Sequence, residues 1–298
     1  MLAAPVIREH VSGNDVRLPA QGPVRAYAHP VLRITDARTG EPTDATPARR
    51  GLTRVEAHVP RPDTTGLRVL LVADVLVRAL EISGTPVWTV LTGTEGRAEL
   101  RARAAALGIR PFEDERDSGS GLGEAQVLRV RATETGTADG ATGNDEAGLD
   151  MAVNDVAGND EAASGLQVEV APADAESGVA DDDERASALR LALLACPRRE
   201  PLRLDEAALA DAEDTLRRWR GAVATWATRP SGPIPDPVRQ QLRAAWEDDL
   251  DVPAVLAVLR KVETSGTVPD GARFETYAYA DRLLGLELTR DIGRETPS

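Results

Sequence analysis

Few residues of this chain have side chains suited to catalysis. Three histidines (His10, His29 and His58), one cysteine (Cys196) and one lysine (Lys261) are all of their kinds in 298 residues. A single cysteine excludes an internal disulfide and any metal site built on two or four thiolates. His58 could serve as a base or as one metal ligand. No second ligand type stands near it in sequence, and the residues favour a plain histidine at a strand end. Cys196 follows the apolar run "LALLA" and reads as a small buried side chain rather than a reactive thiol. Any step that needs an ammonium group must use Lys261. In "DTLRRWRGAV", Arg217, Arg218 and Arg220 flank Trp219, a combination that can stack on and neutralise RNA. The same residues also fit a solvated helix end with Trp219 turned inward. Thr92 and Glu95 could touch a nucleotide or an amino acid, or form an ordinary turn after a strand.

The elements that would position these residues follow from periodicity. "TRVEAHV" (53–59) alternates as a strand does. In "GLRVLLVADVLVRALEISG", Asp74, Arg78 and Glu81 share one helical face and nearly everything else is apolar, which predicts a helix buried on most sides. Gly84, Thr85 and Pro86 end it, and "VWTVLTGT" reads as a second strand. Strand, buried helix and strand make a βαβ unit with a parallel pair, as in a doubly wound sheet. "GRAELRARAAALGI" supplies a further helix that closes near Gly108. Downstream come "RASALRLALLAC", a long helix capped by Asp205, then "PDPVRQQLRAAWED" and "DVPAVLAVLRKVE", with Asp251 as cap and Pro253 in the first turn. "RFETYAYADRLLG" is the last helix, stopped by Gly285. The expected class is α/β plus all-α: a truncated Rossmann-like domain followed by a helical bundle.

Composition agrees. Aromatic residues are 3% of the chain, so the core must be built from Ala, Leu and Val, which favours helix. The formal charge of -14 is concentrated in one place. Residues 132–184 hold 15 Asp plus Glu and no Lys or Arg, leaving 35 basic against 34 acidic residues elsewhere. That stretch repeats "GNDEA" among Gly, Ala and Thr. It has too few large apolar residues to offset the entropy of ordering, so it reads as a disordered linker with a possible short strand at "LQVEV". The division expected is 1–118 for the Rossmann-like domain, 119–184 for the acidic linker and 185–298 for the bundle. No window is apolar enough to span a membrane, the start has no signal pattern, and the cysteine usage suits a reducing cytoplasm.

The helical block "SALRLALLACPRREPLRLDEAALADAEDTLRRWRGAV", with "AWEDDLDVPAVLAVL" and "ADRLLGLEL", resembles the helical domain of cysteinyl-tRNA synthetases. It looks still more like that of their actinobacterial relative, the ATP-dependent ligase that joins cysteine to glucosaminyl-inositol in mycothiol synthesis. "LRITDARTGEPTDATP" and "ADVLVRALEISGTPVWTVLTGTEG" are similar to the front of the same family, so the likeness covers about half of the chain. The resemblance implies an enzyme that makes cysteinyl-adenylate. ATP would be held by a His-x-Gly-His tetrapeptide and a Lys-Met-Ser-Lys-Ser loop, and a zinc ion would select the substrate thiol. Where the tetrapeptide should fall, this chain has "DTTG", with Asp63, Thr65 and Gly66. The lysine loop should fall where the acidic segment lies. The first zinc cysteine should stand near Ala57 or His58, and the family's "TDxDD" aligns with "TGTEG", keeping Thr92 and, loosely, Glu95.

Each lost electrostatic donor commonly costs about 100- to 1000-fold in rate. The expectation is therefore a degenerate, non-catalytic relative without ATP or zinc. Its vestigial pocket would be Asp63, Thr65, Gly66, Thr92 and Glu95, and its partner a protein or small molecule. The alternatives are an active cysteine ligase with altered residues, or an RNA-binding bundle, the latter disfavoured by charge.

Overall fold

The computed structural model describes residues 31–46, 51–93, 96–114, 124–133, 165–176 and 185–294. A short antiparallel pair, β1 (Arg33–Thr35) and β2 (Pro42–Asp44), opens the described chain. β3 (Leu52–His58) alternates in burial, with Thr53, Val55 and Ala57 inward, as a strand with one face on a core must. It leads into α1 (Thr64–Ile82), then β4 (Val87–Thr92), α2 (Arg97–Ala106) and the two-residue β5 (Glu113–Asp114). β6 (Glu124–Ala132) and β7 (Leu166–Val170) complete a five-stranded sheet. The order is β5-β4-β3-β6-β7 and every neighbouring pair is parallel. This is the strand order of a doubly wound dinucleotide-type sheet, short of its last strand. Of the stretch 119–184, residues 124–133 and 165–176 are described, and they carry β6, β7 and β8 (Ala173–Ala175). Residues 119–123, 134–164 and 177–184 lie outside the described residues.

The rest is helical. α3 (Ala186–Leu194) leads to β9 (Leu202–Leu204), which pairs in parallel with β8. α4 (Glu206–Trp226), α5 (Asp236–Glu247), α6 (Val252–Thr264) and α7 (Asp270–Leu284) follow. Their predicted boundaries hold locally. The Asp205 carboxylate accepts from Ala208 N at 2.8 Å and that of Asp251 from Ala254 N at 2.9 Å, both as N-caps. Gly285 ends α7 at φ +60°. There a β-carbon would come within 2.8 Å of the Arg190 guanidinium, so glycine is required for space as well as for conformation.

α1 explains its own apolarity. It packs against β3, β4 and β6 on one side and against β8 and α7 on the other. Most of its circumference is therefore buried, Arg68 and Asp74 included, each 1% exposed. Sheet and helices share one continuous apolar cluster, from Leu32 and Ile34 through the α1 leucines to Trp219, Trp246 and Tyr277. No helix among the described residues is long and apolar enough to cross a membrane.

Candidate functional site

The carboxyl ends of the strands, where a doubly wound sheet places its ligands, lie beside the head of α1. Asp63 occupies the N-cap, its Oδ1 accepting from Gly66 N at 2.8 Å, while its carbonyl accepts from Leu67 N. Arg61 stands 3.5 Å from the other carboxylate oxygen. Thr65 Oγ1 donates to the carbonyl of Ala173 at 3.1 Å and accepts from the Ala173 amide at 3.0 Å, so its hydroxyl is committed to β8. Gly66 is forced by contact, since a β-carbon there would lie 2.4 Å from the Arg61 carbonyl and 2.6 Å from Val59 Cγ1. Asp63, Thr65 and Gly66 line a cleft of about 100 Å³ with Val59, Thr133 and Pro172.

Thr92 does not join them. Its Oγ1 lies 3.1 Å from His58 Nδ1, and the imidazole packs on Gly93, whose φ is +83°. His58 is thus a strand-end histidine seated on the neighbouring strand, as its sequence context suggests. Glu95 lies outside the described residues. Cys196 is half-buried, with its thiol 3.7 Å from the carbonyls of Pro197 and Glu200.

Among the described residues, the positions that the resemblance assigns to ATP and zinc carry other groups. At the head of α1, where a helix N-terminus could face a phosphate, Asp63 presents its own carboxylate to the free amide. Ala57, at the place of the expected zinc cysteine, is buried under α1, and His58 is engaged with Thr92. Among the described residues no three His, Cys, Asp or Glu side chains gather as a metal site would require.

The arginine-rich helix places its residues in different surroundings. Trp219 is fully buried, its Nε1 donating to Glu263 at 3.0 Å and its ring edge-on to Tyr277 at 5.7 Å. Arg218 donates to the same Glu263, Arg220 donates to the Leu286 carbonyl at 2.7 Å, and Arg217 pairs with Asp214 on the surface. An exposed stacking platform does not form there.

The buried guanidinium groups of Arg68 and Arg190 escaped the sequence reading, as did that of Arg198. Arg68 donates only to backbone carbonyls: Ala171, Pro172, Glu200, Cys196 and Pro197, at 2.7–3.4 Å. Its burial holds it below the usual arginine range. Arg190 donates to Asp74 at 2.8 Å, to the Leu284 carbonyl and to the Leu107 carbonyl. Asp74 also takes Arg78 at 2.8 Å and Arg110 at 3.1 Å. Burial raises the Asp74 carboxyl, and the Arg190 and Arg78 charges more than offset it, leaving it below the ordinary 3.8. The only sequence signal was an aspartate inside an apolar helix.

The sheet, α1 and the helical remainder define an α/β protein of Rossmann-like type with a helical carboxyl-terminal part. No protein-family model matches the chain. Among curated proteins it is similar to L-cysteine:1D-myo-inositol 2-amino-2-deoxy-alpha-D-glucopyranoside ligases. That of Streptosporangium roseum is 42% identical over 106 residues, 34% of this chain and 25% of the ligase. That of Streptomyces scabiei is 36% identical over 116 residues, 38% of this chain and 27% of the ligase. That of Kribbella flavida is 39% identical over 102 residues, 34% and 24% respectively. The chain is similar to these cysteine ligases over about a third of its length. The match spans about a quarter of theirs.

Proposed function

We propose that the chain is a non-catalytic relative of the cysteine ligases that acts as a binding or regulatory module. The observation that carries this reading is the head of α1. The position matching the ATP-binding tetrapeptide is closed by the chain's own groups: Asp63 caps the helix and Thr65 is spent on Ala173. The adjoining cleft of about 100 Å³ is small beside the roughly 300–1,000 Å³ of sites that enclose small molecules. A lone lysine on α6, Lys261, adds no phosphate-neutralising loop at this edge.

Cysteine-dependent exchange of pyrophosphate into ATP tests the reading. Exchange at background is the expected result. Exchange above background, abolished by Asp63→Ala or Thr92→Ala, would overturn it in favour of an active ATP-dependent cysteine ligase with altered residues. The partner would be a protein or a small molecule.

A further inference from the structure

A second cleft, of about 350 Å³, shares no lining residue with the one at the head of α1. Three segments far apart in sequence form it: the end of β1 at Thr35, the turn 197–199 and the junction 248–251 between α5 and α6. Its volume lies within the roughly 300–1,000 Å³ of small-molecule sites.

The walls of this cleft are fixed by the protein itself. Asp249 and Leu250 are consecutive and both left-handed, at φ +56° and +55°, a conformation disfavoured for residues other than glycine. Asp249 holds it there. Its amide donates to the Arg33 carbonyl at 2.9 Å, and its carboxylate accepts from Thr35 N at 2.7 Å and from Arg198. Arg198 is buried and also donates to the Glu169 carbonyl at 2.7 Å. A cleft set in advance loses little freedom when a ligand enters.

Other polar groups of the lining have no partner in the fold. Asp248 is exposed, and its carboxylate takes part in no hydrogen bond or ion pair. Asp251 gives one carboxylate oxygen to Ala254 N and leaves the other open. Arg199 is 48% exposed; its Nε stands 3.5 Å from Asp249, and its two terminal nitrogens make no hydrogen bond. The Thr35 hydroxyl is likewise unpaired. Leu250 and Pro197 add apolar surface. A purely anionic guest would meet Asp248 and Asp251, and a purely cationic one would meet Arg199. A molecule with both charges answers both walls: its ammonium against the aspartates, its carboxylate on the planar fork of the arginine.

We propose that this cleft binds a small zwitterion of the α-amino acid class. The proposal rests on the reading of the chain as a binding module and gives that module a site apart from the head of α1.

The test is calorimetric titration of the full chain with the proteinogenic L-amino acids, one at a time, up to about 10 mM, a range that detects millimolar affinity. At least one should bind. Its methyl ester, which lacks the carboxylate, and its N-acetyl form, which lacks the ammonium, should each bind about tenfold more weakly or worse, as loss of a charge-assisted contact implies. Asp248→Asn and Arg199→Gln should each weaken the parent amino acid to the same degree. Both variants should keep the parent's urea midpoint, because exposed charges of this kind contribute little to folding. Absence of binding by every amino acid would overturn the proposal. So would an affinity indifferent to either substitution, or ester and N-acetyl forms that bind as well as the parent. Pyrophosphate exchange decides the non-catalytic reading separately, so either can fail without the other.

Discussion

Asp74 is the residue on which the interior electrostatics turn. Three guanidinium groups converge on its carboxylate, and one of them, Arg190, is 1% exposed. Removing one partner of a buried pair leaves an uncompensated charge, which typically costs about 3–5 kcal/mol. Asp74→Asn should lower the free energy of urea unfolding by that order. The pH dependence has a definite sign. A carboxyl held below its ordinary value stabilises the fold above pH 3.8 and loses that contribution as pH falls through the lower folded value. The acid limb of the stability curve should therefore flatten in Asp74→Asn. Asp281 works in the opposite direction: burial pushes it up even though Leu288 N and Leu286 N donate to it. Its contribution is present below 3.8 and is lost as pH rises through its raised folded value.

At the scale of elements, what the sequence displays is what is local. Asp205, Asp251 and Gly285 could be recognised as caps and stop because their partners stand three or four residues away. The apolar circumference of α1 likewise announced a helix enclosed on most sides. The partners of Arg68, Arg190 and Arg198 could not be read, because 29 to 132 residues separate these arginines from their acceptors. The acids of "EDDLD" illustrate both cases. Asp251 is a local cap, whereas Asp249 accepts from Thr35 N at 2.7 Å and pairs with Arg198 across the molecule, holding a left-handed backbone at φ +56°. Of the residues the sequence grouped together, Asp63, Thr65 and Gly66 line one cleft, while Thr92 contacts His58 across the strands. Two substitutions measure how firmly that cleft is built. Asp63→Ala should cost about 0.5–2 kcal/mol in thermal or urea unfolding, the usual worth of an N-cap. Gly66→Ala should be worse, because its β-carbon meets backbone at 2.4 Å; a variant that unfolded like the parent would show that the turn at Arg61 yields.

For the whole molecule, composition suggests a sheet part and a bundle separated by an acidic stretch, while the described residues from 31 onward fall in one compact unit with one apolar cluster. Strands β7 and β8 lie inside that stretch and seat α1 against β9. Sheet and helices should accordingly unfold together. Fluorescence of Trp88 on the sheet, isolated by replacing Trp219, Trp226 and Trp246 with Phe, should report the same denaturant midpoint as helical circular dichroism, and two separated midpoints would show independent domains. The Arg68 cage has a last consequence for how this protein can vary. Its five acceptors belong to the main chain, so the identities of Ala171, Pro172, Cys196, Pro197 and Glu200 are nearly irrelevant to it. A saturation library should find position 68 intolerant even of lysine, whose ammonium lacks the planar fork, while exposed Glu200 tolerates most replacements.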